Sequence, residues 1–180
     1  MSADAGHEHA PAIAPGAFSH AGVIAEAGPT AAAGSRWAIV VARFNGQITD
    51  ALFRGAVDSI MAAGARAEHI RAVTVPGAVE LPLAARELAK TGHYAGVVAL
   101  GCVIRGETAH FDYVCRAATD GILRVQLDYG MPVGFGLVTC DTVEQALARC
   151  ETQPGGHNVG ADAANAALEL AGLARITRSS

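Results

Sequence analysis

Trp37-Ala38-Ile39-Val40-Val41-Ala42, running through Arg43-Phe44-Asn45-Gly46 into apolar residues spaced three and four apart, decides the fold class. The six opening residues are apolar and partly β-branched, without polar alternation, which is the pattern of a short strand buried on both faces. Ile48, Leu52, Phe53, Ala56, Val57, Ile60 and Met61 then share one side of a helix, and Gly64 supplies its stop. The same unit recurs along the chain. Residues 70–75, 95–103 and 132–139 read as further strands; residues 81–90, 111–128, 143–149 and 160–173 read as helices. The last of these carries Asp162, Asn165 and Glu169 on one face and alanines and leucines on another. Such alternation predicts an α/β fold, an open parallel sheet of four strands covered by helices on both faces.

At 180 residues the chain is long enough for one domain with a well-buried core and short for two. Apolar residues make up 51% and aromatics only 5%, so the core must be built from aliphatic side chains and close helix packing. Residues 1–34 differ from the rest. Ala, Gly, Pro and His dominate there without periodicity, and such a stretch buries too little to offset its ordering entropy. The organisation expected is therefore a flexible tail over 1–34 and a single domain over 35–180. His7-Glu8-His9 within that tail reads as a solvated pair, not a metal site.

The net charge of −4 gives no electrostatic reason for a nucleic-acid or anionic-membrane partner. No apolar run approaches the ~20 residues needed to span a bilayer, and the N-terminus lacks the features of a secretion signal. Cys102, Cys115, Cys140 and Cys150 contain no Cys-x-x-Cys pair, which disfavours a zinc site or disulfide framework and fits a reducing cytoplasm.

Ligands of open parallel sheets bind where the carboxyl ends of the strands pass into helices. The segments at those places are Arg43 to Gly46, Pro76 to Glu80, Gly101 to His110 and Thr139 to Asp141, and they are expected to share one rim. In Arg105-Gly106-Glu107-Thr108-Ala109-His110 the chain leaves a strand, turns at Gly106 and starts a helix near Thr108. Free backbone N–H groups and the Thr108 hydroxyl there suit an anion; equally, Thr108 serves as a helix cap and Gly106 as a turn. Glu107 is expected to turn its carboxylate away. His110 stands in the first turn of that helix. An imidazole gives and takes protons near neutral pH, and the positive helix end favours a neutral ring that acts first as a base. Phe44 after the first strand can stack on a planar heterocycle, with Asn45 beside it as donor and acceptor, or can be a core residue. His69 and His93 read as surface residues, His157 stays open, and Arg149 alone reads as a solvated charge.

Five blocks together resemble the lumazine synthase family: Ala42-Arg43-Phe44-Asn45; Val75-Pro76-Gly77-Ala78-Val79-Glu80-Leu81-Pro82; residues 101–114 around Arg-Gly-Glu-Thr-x-His; Pro132-Val133-Gly134-Phe135-Gly136-Leu137-Val138-Thr139; and Asp141-Thr142-Val143-Glu144-Gln145-Ala146. They follow in order from about Arg36 to Ala174. The resemblance implies a flavodoxin-like three-layer fold and condensation of 5-amino-6-(D-ribitylamino)uracil with 3,4-dihydroxy-2-butanone 4-phosphate, without metal or organic cofactor. It implies a homopentamer whose active sites are shared by neighbouring subunits. By position, Phe44 with Asn45 meets the pyrimidine, and Ala78 and Val79 meet the substrate through their backbone. Glu80 takes the ribityl hydroxyls, while Cys102, Val103 and Ile104 read the pyrimidine edge. Glu107 and Thr108 hold phosphate, and His110 is the acid–base residue. Phe135 and Arg149 reach into a neighbour's site, Arg149 on the phosphate.

The chain departs from the family pattern in two places. Many members carry Gly-Asn-Lys-Gly where His157-Asn158-Val159-Gly160 stands, so a cationic contact is missing that His157 partly replaces at best. The connection Glu151-Thr152-Gln153-Pro154-Gly155-Gly156 is also longer than in members that build sixty-subunit capsids, which favours a free pentamer. The missing lysine leaves a non-catalytic paralogue that binds lumazine or riboflavin as the alternative. A flavodoxin-like FMN carrier is disfavoured, since Arg43-Phe44-Asn45-Gly46 is not a Ser/Thr-rich phosphate loop.

Overall fold

The structure, a computed structural model, describes residues 34–179 together with Ser19–His20 and Val23–Ile24. The remainder of the 1–34 stretch, His7 and His9 included, lies outside the described residues. Two-residue strands β1 (Ser19–His20) and β2 (Val23–Ile24) pair antiparallel. The main sheet comprises β3 (Trp37–Ala42), β4 (Ile70–Val75), β5 (Gly96–Ile104) and β6 (Val133–Cys140). All its ladders are parallel, in the order β4-β3-β5-β6.

Alternation within the strands assigns the two faces. Trp37 and Ile39, with Val98, Leu100 and Cys102, point to the side of α1 (Gly46–Ala62), α4 (Val143–Leu147) and α5 (Val159–Ser179). Ala38, Val40 and Ala42, with Val97 and Ala99, point to the side of α2 (Leu81–Lys90) and α3 (His110–Tyr129). Both faces of the two central strands are thus filled, as the unbroken apolar runs require. The result is the three-layer arrangement of a flavodoxin-like fold.

Strand limits agree with the sequence reading to within a residue. α2 agrees at both ends. α4 is shorter than expected and α5 longer, because the apolar repeat stops at Leu173 while the helix goes on. His69 is half-buried at the end of a 3-10 turn, against the expectation of a surface residue. Its ring Nε2 lies 3.0 Å from Arg66.

Small residues let α5 sit close to its neighbours. A Cβ on Gly160 would strike the backbone of Leu52 in α1, and one on Gly134 the carbonyl of Ala163 in α5. Asn158 closes the seam. Its side chain is buried, donates to the carbonyls of Ala51 (3.0 Å) and Glu151 (3.1 Å), and accepts from the N–H groups of Gly160 (2.9 Å) and Ala161 (3.1 Å). All four of its hydrogen-bonding capacities are used, and it caps α5. Among the described residues no helix is long and apolar enough to cross a membrane.

Candidate active site

From β3 the chain moves outward through α1 to β4, then returns through α2 across β3 to β5. The connections leave β3 and β5 on opposite faces of the sheet, and a crevice must open between their carboxyl ends. It is there, with a volume of about 510 Å³, within the usual range for small-molecule sites.

The turn after β3 supplies the first wall. Asn45 is the one non-glycine residue with positive φ among those described (φ 57°, ψ 47°), a conformation that asparagine tolerates better than most residues. Its Nδ2 donates to the Cys102 carbonyl at 2.9 Å, which spans the opening between β3 and β5. Phe44 beside it keeps 74% of its surface exposed. The core reading of Phe44 is therefore wrong, and its ring lines the crevice.

A second wall comes from the turn after β4. Gly77, Ala78, Val79 and Glu80 all line the crevice. The Glu80 carboxylate is folded back so that Oε2 accepts from the Gly77 N–H at 2.8 Å. That bond fixes the carboxylate's direction and leaves Oε1 without a donor among the described residues. The floor is the end of β5, Cys102, Val103 and Ile104, and the far side is Gly106, Thr108, His110, Phe111 and Val114. α3 begins at His110 rather than near Thr108. The Thr108 hydroxyl accepts from the His110 N–H at 3.4 Å, so it serves the helix start while facing the crevice.

The fourth rim segment behaves differently from the expectation. Thr139, Cys140 and Asp141 do not line the crevice, because β6 leads into α4 on the face of the sheet opposite α2 and α3, whereas the turn after β4 leads into α2 on the crevice side. Asp141 acts indirectly, accepting from Arg105 Nε at 2.8 Å. Arg105 also meets Asp112 (3.2 Å from Nη2) and lies with Cζ 4.1 Å from the centre of the Phe111 ring. Its hydrogen bonds to Asp141 and then Asp112 push the guanidinium's pKa upward, so it is a cation at every working pH. Sequence reading passed over Arg105 because its partners lie seven and thirty-six positions away.

Glu107, Phe135 and Arg149 stand outside the crevice of their own chain. Glu107 is exposed. Phe135 is 42% exposed on edge strand β6. Arg149 follows α4, with Nη1 donating to the Gln145 carbonyl at 2.9 Å and its own carbonyl accepting from Val159 N at 2.9 Å. His157, considered as a stand-in for the missing lysine, faces Asp162 in the first turn of α5, with Nε2 and Oδ2 3.2 Å apart.

All four thiols are free. Burial, reinforced by Cys140, pushes Cys102 up to about 12, and burial also raises Cys115, Cys140 and Cys150. The thiolate is the reactive form, so Cys102, which is also buried, is expected to be unreactive in the native protein despite its place at the crevice floor. At pH 8 a thiol-specific reagent is expected to label partly exposed Cys115 first and Cys102 only after unfolding. Rapid native labelling of Cys102, read by peptide mass mapping, would contradict this. The same shift sets an alkaline limit. A thiol with a raised folded pKa contributes stability below its unfolded pKa, and that contribution fades as the pH climbs towards about 12.

Residues 34–175 match the family model described as 6,7-dimethyl-8-ribityllumazine synthase. Proteins named 6,7-dimethyl-8-ribityllumazine synthase are similar over most of both chains. That of Desulfatibacillum aliphaticivorans is 50% identical over 147 residues, covering 82% of this chain and 94% of its own. That of Nitratidesulfovibrio vulgaris is 49% identical (77% and 87% covered), and that of Salinibacter ruber 47% identical (78% and 88%). With its sheet order, its crevice at the β3–β5 switch point and this extent of identity, the chain belongs to the 6,7-dimethyl-8-ribityllumazine synthase family, transferases of riboflavin biosynthesis.

Proposed function

We propose that the crevice joins 5-amino-6-(D-ribitylamino)uracil to 3,4-dihydroxy-2-butanone 4-phosphate, giving 6,7-dimethyl-8-ribityllumazine, inorganic phosphate and water. The observation that carries this reading is that Phe44, Asn45, Glu80 and His110, from three separate loops, line one cavity. The Phe44 ring stacks on the pyrimidine, and the ends of Cys102, Val103 and Ile104 with Ala78 and Val79 offer main-chain groups to its edge. Glu80 Oε1 accepts from ribityl hydroxyls. Thr108 and the backbone N–H groups from Glu107 onward receive the phosphate.

Each chemical step moves a proton. The uracil amine adds to the ketone, and the carbinolamine loses water to form an imine. A proton leaves carbon as phosphate departs, and the second amine closes the ring with loss of another water. His110 takes and returns these protons. The site holds its substrates with side chains and backbone alone, and needs no cofactor. A non-catalytic lumazine or riboflavin binder would have no use for a proton shuttle beside an anion site, so the enzyme is favoured.

Phe135 and Arg149 complete the neighbouring subunit's site in a homopentamer, Arg149 as the phosphate's cation. The long Glu151 to Gly156 connection favours a free pentamer, and the free thiols suit the cytoplasm. The test is direct. Mixing both substrates with the protein should produce lumazine fluorescence, and sedimentation should give a pentamer. His110→Ala and Arg149→Ala chains, each nearly inactive, should regain about a quarter of full activity when co-assembled one to one, since random mixing puts both intact residues in that share of sites. No gain above the separate variants would show that each site belongs to one chain.

A further inference from the structure

We infer that Arg105 is a positioning residue for His110: its guanidinium clamps the otherwise weakly held front of α3 to the end of β6, and so sets where the imidazole stands. The inference rests on the reading of His110 given above.

The fully buried residues of α3 are Ala118, Ile122 and Val125, and ahead of them Val114, partly buried, packs against the core. At 1.5 Å per residue, His110 stands about 6 Å along the axis from Val114 and about 12 Å from Ala118. Residues 105–110 are all exposed. Side-chain capping offers little there, since Ala109 at the N-cap makes no side-chain bond and the Thr108 contact is long at 3.4 Å. Gly106, with open space where a Cβ would stand, adds no packing.

Arg105 is what joins this segment to the rest. Its backbone N–H donates to the Cys140 carbonyl at 2.9 Å, and Nε holds Asp141 at the same strand end. The other edge of the same planar group meets Asp112 in the first turn of α3, while its face covers the Phe111 ring. Phe111 itself lines the crevice. One rigid fork therefore fixes the residue on each side of the loop carrying Thr108 and His110. A guanidinium suits this better than an ammonium, because it holds two carboxylates in one plane and stacks at once. The pairs are too exposed, with side chains at 43% for Arg105, 61% for Asp112 and 65% for Asp141, to matter much for global stability. Their effect is local order.

The test is a double-substitution cycle on the full-length assembled enzyme. Arg105→Gln should lower kcat about tenfold with KM little changed, the signature of a lost transition-state contribution. Amides of residues 106–112 should exchange faster with deuterium, and Arg105→Lys should recover only part of the rate. In a His110→Ala background the same substitution should cost less than about twofold, because coupled residues are not additive. An additional tenfold loss in that background would overturn the inference, as would unchanged exchange together with unchanged kcat. Should Arg105→Gln fail to assemble, Asp141→Asn removes one tie and carries the same cycle. Full activity in His110→Ala alone would instead sink the reading of His110, an outcome distinct from additivity.

Discussion

His110→Ala is expected to lower kcat by about 100-fold, the lower end of what general acid–base help contributes, while KM for the pyrimidine stays within about threefold because its partners are untouched. The variant should not be dead. Holding two reactants in register lowers the barrier independently of any proton shuttle, and the walls formed by Phe44, Asn45 and the ends of β5 do not depend on the imidazole. Steady-state kinetics with lumazine formation as readout separate the cases. A rate within twofold of the unsubstituted enzyme would remove His110 from the chemistry, and complete loss with unaltered substrate binding would mean that proximity contributes nothing.

Asn158→Ala is expected to cost roughly 3 kcal/mol of stability. Loss of an N-cap costs about 1 kcal/mol, and each buried carbonyl stripped of its donor adds about 1 kcal/mol or more. The carbonyls of Ala51 and Glu151 and the N–H groups of Gly160 and Ala161 all lose a partner together. The collapse that usually limits such losses is restricted here, since Gly160 already brings α5 onto the backbone of Leu52, while Gly55 packs against the Asn158 side chain itself and would border the space it leaves. For a chain of this size the midpoint of thermal unfolding should drop by roughly 6–12 °C. A drop of less than 2 °C in calorimetry would mean that α5 is held by its apolar face alone. Val159 N also donates to the Arg149 carbonyl, so activity should fall more steeply with temperature than in the parent.

The fold was legible because its information is local. The central strands β3 and β5 are unbroken apolar runs, β4 and β6 are short, largely apolar segments, each strand is bounded by turn signals, and α1, α2 and α3 each carry an apolar stripe. The crevice was legible too, since the switch-point rule places ligands by topology, and the loops of Phe44, Glu80 and His110 meet there. What escaped was whatever depends on side chains from distant turns. Arg105 looked like one residue of a motif, and only the β5–β6 ladder, which sets Ile104 opposite Cys140, brings Asp141 beside it. The role of Asn158 was hidden for the same reason, as its partner Ala51 is 107 positions away. His157 was considered for its charge, and its pairing with Asp162 emerges only once α5 begins at Val159. Thr108, open between a cap and an anion donor, accepts from the His110 N–H and also lines the crevice, so its bond to the helix start does not take it away from a ligand there.

The all-parallel character of the four-stranded sheet has a kinetic consequence. Its shortest-range ladder joins Trp37 to Ile70, the next joins Val97 to Val133, and the longest joins Trp37 to Gly96, so no two of these strands can meet until a long stretch of intervening chain has been closed into a loop. Helices form in microseconds, whereas such distant pairings are slow. A newly made chain therefore acquires most of its helical content before β3 and β5 lie side by side, and the crevice between them is among the last parts of the subunit to exist.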